Sequence, residues 1–227
     1  AAAIMIPSMA SAQRAGGLTD EQVKERLNYI QTNLDGGQTA AQVWWYGWMG
    51  GYTALTAGQL GIAFSGVDKT TKQDMLVGAV TSGLGLVGKL ITPFTPAYAP
   101  SKLRSMPDGT PEERRAKLEA AESYLERCSD VEYEGRCWLN QTLNFVINAG
   151  AAIFTVAYFK RPYEDGMKTF IPGMIISEID IISQPMRATR DWKAYRAKYY
   201  KDEKAALPED NWFIAVSPIG FAAGFHF

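Results

Sequence analysis

Histidine is almost missing from this sequence, which holds one, His226, in 227 residues. Its scarcity removes the commonest general base and the commonest zinc ligand from the interior, and with them most hydrolase and metalloenzyme chemistry. An excess of one charge is missing too. Lys and Arg total 23 against 24 Asp and Glu, a net charge of −1, so there is no basic field to hold nucleic acid and no acidic solvating arm. Cysteine is limited to Cys128 and Cys137. With no Ser-His or Cys-His pair in the interior, nucleophilic catalysis lacks its usual parts, and no metal or cofactor is expected. What remains is segregation: 47% of residues are hydrophobic and 21% charged, and the two classes occupy different stretches of the chain.

The first twelve residues, AAAIMIPSMASA, end in Ala10-Ser11-Ala12, the small-x-small pattern a signal peptidase reads. Residues 1–12 are therefore expected to be the remnant of a secretory signal, cleaved before Gln13. The competing reading, an apolar N-terminal strand or anchor, is the weaker one because twelve residues fall short of the roughly 20 that span a bilayer. Export would place the two cysteines where a disulfide can persist. On an unbroken helix they would lie about 13 Å apart, too far to bond, but Gly135 offers a break, so the bond stays open.

Thr19 and Gln22 form a capping box, with Leu18 and Val23 as its hydrophobic staple, and open a helix whose stripe is Val23, Leu27, Ile30 and Leu34. Gly36-Gly37 is expected to end it. From Gly36 to Val67 runs a stretch of 32 residues without charge, long enough to cross a bilayer, with Trp44, Trp45 and Trp48 placed as an interfacial belt. Gly47, Gly51, Ala54 and Gly58 are small residues at the spacing that lets helix backbones approach closely. The alternative is a buried soluble helix, which would carry more Leu and Ile and fewer glycines. Met75–Ile91, interrupted only by Lys89, makes a hairpin with it across a turn at residues 65–74.

Five of the eleven prolines fall between Pro93 and Pro111, so residues 92–110 are expected to be extended. Thr110-Pro111-Glu112-Glu113 then starts an amphipathic helix with Leu118, Ala121, Leu125 and Cys128 on one face. Trp138–Phe159 is a second uncharged run, 22 residues or about 33 Å as a helix. Its Asn140, Asn144 and Asn148 make a polar stripe that must face other helices or water. In the apolar stretch Thr169–Pro185, Glu178 and Asp180 need partners if buried, and Lys89 is the nearest candidate. From Arg187 to Lys204, Trp192, Tyr195 and Tyr199 share a face among basic residues. That composition suits a headgroup surface, or equally a solvated helix packed by its aromatic face. The last residues alternate like a strand.

Gly83, Gly85, Gly88 and Lys89 match a phosphate-binding loop in spacing, but Leu90 follows the lysine and the flanks read as helix, so Gly83 and Gly85 are assigned to helix packing. Glu178 and Asp180 do not converge as a general acid and base. A terminal Phe after alternating aromatics resembles the closing strand of outer-membrane barrels, but that covers one strand only, and residues 19–205 have helical periodicity, which weighs against a barrel.

Trp45-Tyr46-Gly47-Trp48, the stretch Met106-Pro107-Asp108-Gly109-Thr110-Pro111 leading into Ala120-Ala121-Glu122, the pair Asn144 and Asn148 with Gly150, and the run from Ser177-Glu178 through Asp180-Ile181 to Gln184-Pro185 resemble a group of uncharacterised exported bacterial proteins. The layout of signal, Gly-rich apolar helices and terminal Phe is similar to the α-helical lipid-trapping ring proteins of the bacterial outer membrane, which implies a homo-oligomer enclosing lipid. The chain is accordingly expected to be all-α: membrane hairpins and amphipathic helices over residues 13–210, followed by a strand-like aromatic tail over 211–227. The expected function is a non-enzymatic outer-membrane protein that organises lipid, with lipid and further copies of itself as partners. The alternatives are a soluble periplasmic helical protein binding a lipid or a protein, and an inner-membrane helical protein.

Overall fold

The computed structural model describes residues 17–200, and beyond them the backbone of Trp212–Ser217 and Gly220–Phe225. The expected signal remnant lies outside the described residues. Within them the chain is all-α: α1 (Asp20–Ala63), α2 (Lys69–Ile91), a 3₁₀ turn (Thr95–Ala97), α3 (Ala99–Arg104), α4 (Pro111–Arg136), α5 (Trp138–Ala157), α6 (Tyr163–Ser183) and α7 (Arg187–Tyr199). Trp212–Ser217 and Gly220–Phe225 pair antiparallel, Trp212 opposite Phe225.

Where a single helical domain was expected, the chain divides into two compact units. The first takes the residues up to Val43, then Phe94–Tyr133, then Pro185–Glu203. The second takes Trp44–Pro93 and Glu134–Gln184.

The first unit has an ordinary apolar core. Val23, Ile30 and Leu34 of α1, Leu103 of α3, and Leu118, Ala121, Leu125 and Cys128 of α4 are buried together with Ala188 and Tyr195 of α7. Both capping boxes form as the sequence requires: Gln22 N–H donates to Thr19 Oγ1 at 3.3 Å, and Glu113 N–H donates to Thr110 Oγ1 at 3.1 Å. Gly36-Gly37 does not end α1. The missing side chain at Gly36 makes room for Arg187, whose guanidinium would lie 2.5 Å from a Cβ there and donates to the Gly36 carbonyl at 3.0 Å. Tertiary packing thus offsets the roughly 1 kcal/mol that a mid-helix glycine costs. Residues 92–110 are not simply extended either. Pro96 and Pro100 sit in the first turns of the 3₁₀ helix and of α3, where a missing N–H costs nothing.

Both cysteines are free. Cys128 is fully buried, and burial first, then the Glu132 carboxylate, pushes its thiol far above the usual range.

Arg114 binds Asp20 with two hydrogen bonds, Nε to Oδ1 at 2.7 Å and Nη2 to Oδ2 at 2.8 Å. These bonds, with help from Lys24, hold the Asp20 carboxyl at about 2. Because its folded value lies below its unfolded value, the pair contributes fully above pH ~4 and is lost as the pH falls towards ~2. Thermal midpoints measured across that window should fall less steeply for Asp20→Asn than for the native chain. Superimposable acid limbs would show that the pair contributes nothing.

In the second unit the second part of α1 lies with α2, α5 and α6, and the usual inside-out rule fails. Val80 and Ile91 on α2, Leu139 and Ile153 on α5, and Ile182 on α6 are 62, 72, 61, 65 and 68% exposed. Ile62, Leu84, Leu143, Val146, Ile171, Ile175 and Ile179 are exposed as well. Among the described residues one helix, Lys69–Ile91, is long and apolar enough by length and composition to cross a membrane.

Candidate functional site

Several polar groups inside the second unit link one helix to another. At one end of it, Lys89 near the C-terminus of α2 reaches Asp180 of α6, Nζ to Oδ1 at 2.8 Å, while the Tyr52 hydroxyl of α1 donates to Asp180 Oδ2 at 3.1 Å. The Lys89 ammonium also lies 4.0 Å from the Trp44 ring centroid, a cation–π contact that offsets part of the lost hydration. Lys89 and Asp180 keep 17 and 12% of their side-chain exposure. Asp180 is therefore the acid that pairs with Lys89. Glu178, which sequence offered equally, is half-buried at the edge of the Ile171, Ile175 and Ile182 face and makes no hydrogen bond or ion pair among the described residues.

The tryptophans of α1 do more than mark a level. Trp44 and Trp48 indole N–H groups donate to Ser183 Oγ at 3.2 and 3.1 Å, Trp44 also to the Asp180 carbonyl at 3.2 Å, and Trp45 to the Lys89 carbonyl at 3.4 Å. These acceptors belong to the last turns of α6 and α2, where carbonyls have the fewest intrahelical donors. Trp44, Trp45 and Trp48 keep helix ends satisfied from a neighbouring helix.

Two further polar contacts tie helix to helix. Thr56 and Ser82 hydroxyls meet at 2.8 Å, and Ser82 donates to Gln59 Oε1 at 2.9 Å. Asn148 is buried, donating to the Asn144 carbonyl at 2.8 Å and to Ser177 Oγ at 3.2 Å, against the bare Cα of Gly173. Asn144 and Asn140 bond back to the Asn140 and Gly135 carbonyls at 3.0 and 2.6 Å. Of the three asparagines only Asn148 is buried against another helix; Asn140 and Asn144 are half-buried.

The small residues divide. Gly85 packs under Tyr52, whose ring would lie 2.8 Å from a Cβ, and Gly83 lies against Thr56 at 3.9 Å. Gly47, Gly51 and Gly58 meet nothing within 4 Å, and Ala54 beside them is exposed. Among the described residues nothing packs on that face of α1. Trp192, Tyr195 and Tyr199, expected at a membrane surface, instead belong to the core of the first unit. Tyr195 is fully buried, with Trp192 stacked on it at 5.8 Å between centroids, and its hydroxyl donates to Glu122. The aromatic face of α7 closes a protein core because α4 presents a matching apolar face.

Sequence reasoning did not find Tyr52, Ser183 or Glu132. Tyr52 was detectable, since it continues the Trp45 and Trp48 face at helical spacing. Glu132 was not. It is buried on α4 and accepts the Ala188 and Thr189 N–H groups at 3.1 and 2.8 Å, serving as a borrowed N-cap for α7. Burial holds its carboxyl above the usual carboxylate range against these bonds. Beside it lies a cleft of about 160 Å³ lined by Gly36, Ala40, Pro96, Glu132, Arg187 and Asp191, whose charged groups are already engaged with one another or with backbone. Among the described residues no three His, Cys, Asp or Glu side chains converge on a metal site. The arrangement offers helix packing and an apolar surface. No protein-family model, curated protein or solved structure matches the chain.

Proposed function

We propose that this is a non-enzymatic membrane protein whose second unit lies in lipid and associates with further copies of itself, holding lipid between them. The observation that carries the reading is the exposure of large apolar side chains on α2, α5 and α6, where water would penalise each by about 25 cal/mol per Å². The polar contacts support it. Lys89–Asp180, Tyr52–Asp180, Thr56–Ser82 and Asn148–Ser177 run from helix to helix, as polar groups do when neither water nor lipid can satisfy them. The open Gly47, Gly51, Ala54 and Gly58 face is the self-association surface in this reading, since helices in lipid associate through close backbone approach. The outer membrane is the compartment proposed with it.

Membrane fractionation of the full chain, followed by size measurement and lipid analysis in mild detergent, tests this. The expected result is recovery only with detergent, as an oligomer carrying lipid. Gly51→Leu and Gly58→Leu should reduce the assembly without loss of helix, because a side chain at either position meets nothing among the described residues. Release into the soluble fraction by osmotic shock would overturn the membrane reading in favour of a soluble lipid- or protein-binding helical protein. An unchanged oligomer in both variants would remove the glycine face as its interface.

A further inference from the structure

The other end of the second unit, where α1 ends, α2 begins and α5 turns into α6, carries a second group of aromatic and charged residues. Arg161 of the α5–α6 turn binds Asp74 of α2, Nη2 to Oδ2 at 3.3 Å, which brings that turn beside the start of α2. Phe64, Tyr158 and Tyr163 are 71, 69 and 69% exposed there.

The charges are unevenly engaged. Asp68 caps its own helix through Thr70 and Thr71 N–H at 2.9 and 3.1 Å, Asp74 is held by Arg161, and Asp165 is held by Arg161 and Lys168 at 3.0 and 2.8 Å. The cations are left over. Lys69 and Lys160 have no acid partner among the described residues, and Lys72 contacts only the Phe64 ring, 5.5 Å from its centroid. Against these three cations stands one unengaged acid, Glu164. Lys160 is also held at φ 56°, a left-handed conformation that disfavours any residue with a Cβ.

Exposed aromatics next to unengaged lysines, directly beside an apolar belt, have the composition that sits at the level of lipid phosphates. The rings occupy the boundary, and the lysine stems lie along apolar surface while the ammonium groups reach the anions. We propose that Lys69, Lys72 and Lys160, with Phe64, Tyr158 and Tyr163 between them, form a rim that binds the phosphate groups of anionic phospholipids. The proposal rests on the lipid-embedded reading and names the lipid class it selects.

The test uses the full chain in mild detergent, equilibrated with equal amounts of phosphatidylglycerol and phosphatidylcholine and then washed. The retained lipids are quantified, and helix content is followed by circular dichroism. The native chain should retain phosphatidylglycerol in excess, and each Lys→Gln change should lower that preference by about fivefold. K69Q/K72Q/K160Q should abolish it, whereas K193Q, an exposed lysine of the first unit, should not change it. If the triple variant loses helix, K69Q and K160Q are read singly in its place. Equal preference in native and variant chains overturns the rim while leaving the membrane reading intact. A native chain that retains no lipid and stays monodisperse without detergent overturns both.

Discussion

Replacing Asp180 by leucine is expected to cost the second unit about 3–5 kcal/mol, because removing one partner of a buried ion pair strands the other. Lys89 would be left among apolar side chains with only the Trp44 ring 4.0 Å away, and the Tyr52 hydroxyl would lose its acceptor. The double variant Lys89→Leu with Asp180→Leu should recover most of the loss, since exchanging both charges for apolar groups is often neutral. Asp180→Asn should fall between, keeping an acceptor for Tyr52. Glu178→Leu separates the two acids, because Glu178 has no partner to strand and should leave the thermal midpoint in detergent nearly unchanged. A midpoint equally low for Glu178→Leu and Asp180→Leu, or a double variant no better than the single, would show that the ion pair does not stabilise this unit.

Tyr195→Ala should lower the stability of the first unit by about 3–5 kcal/mol, the range for truncating a fully buried aromatic. The loss includes the ring contacts with Tyr29 and Tyr199, at 5.9 and 4.9 Å between centroids, and the hydroxyl that Glu122 accepts. Tyr195→Phe isolates the second part. It keeps the packing but leaves the buried Glu122 with Arg26 at 3.7 Å, at an expected cost of about 1–3 kcal/mol. Chemical denaturation followed by circular dichroism measures both. If the aromatic face of α7 were a membrane anchor, Tyr195→Ala would weaken membrane attachment and leave the unfolding midpoint alone. That outcome would overturn the core assignment.

Most helices were legible because their determinants are local. The Thr19 and Thr110 capping boxes, the uncharged run beginning at Trp138 and the 3.6-residue stripes each lie within one stretch of chain. A helix needs nothing from elsewhere to show those signals. Gly36-Gly37 was misread for the complementary reason. Glycine is a local stop signal, but here the packed Arg187 guanidinium occupies the space where a side chain would be, and that partner lies 151 residues away in sequence. The prolines at 96 and 100 were read as breakers, yet they occupy first turns, where the same ring that breaks a helix interior is tolerated.

The site divides along the same line. An isolated lysine among apolar residues demands an acid, so the need for a Lys89 partner could be read from the sequence by itself. Which acid it would be could not. Two residues apart on a helix, Glu178 and Asp180 point to nearly opposite sides, so only one of them can face α2 and α1; that one is Asp180, on the side of α6 where Gly173 seats Asn148. Likewise the sequence identifies α7 as a helix with one aromatic face, while the buried face of α4 decides that Tyr195 closes a protein core. Small residues four apart were evident along α1 and α2. Only the packed structure separates Gly83 and Gly85, which admit neighbouring side chains, from Gly47, Gly51 and Gly58, which meet none. Helix identity is encoded in spacing and caps along the chain. The partner of each face depends on helix rotations that no single segment contains.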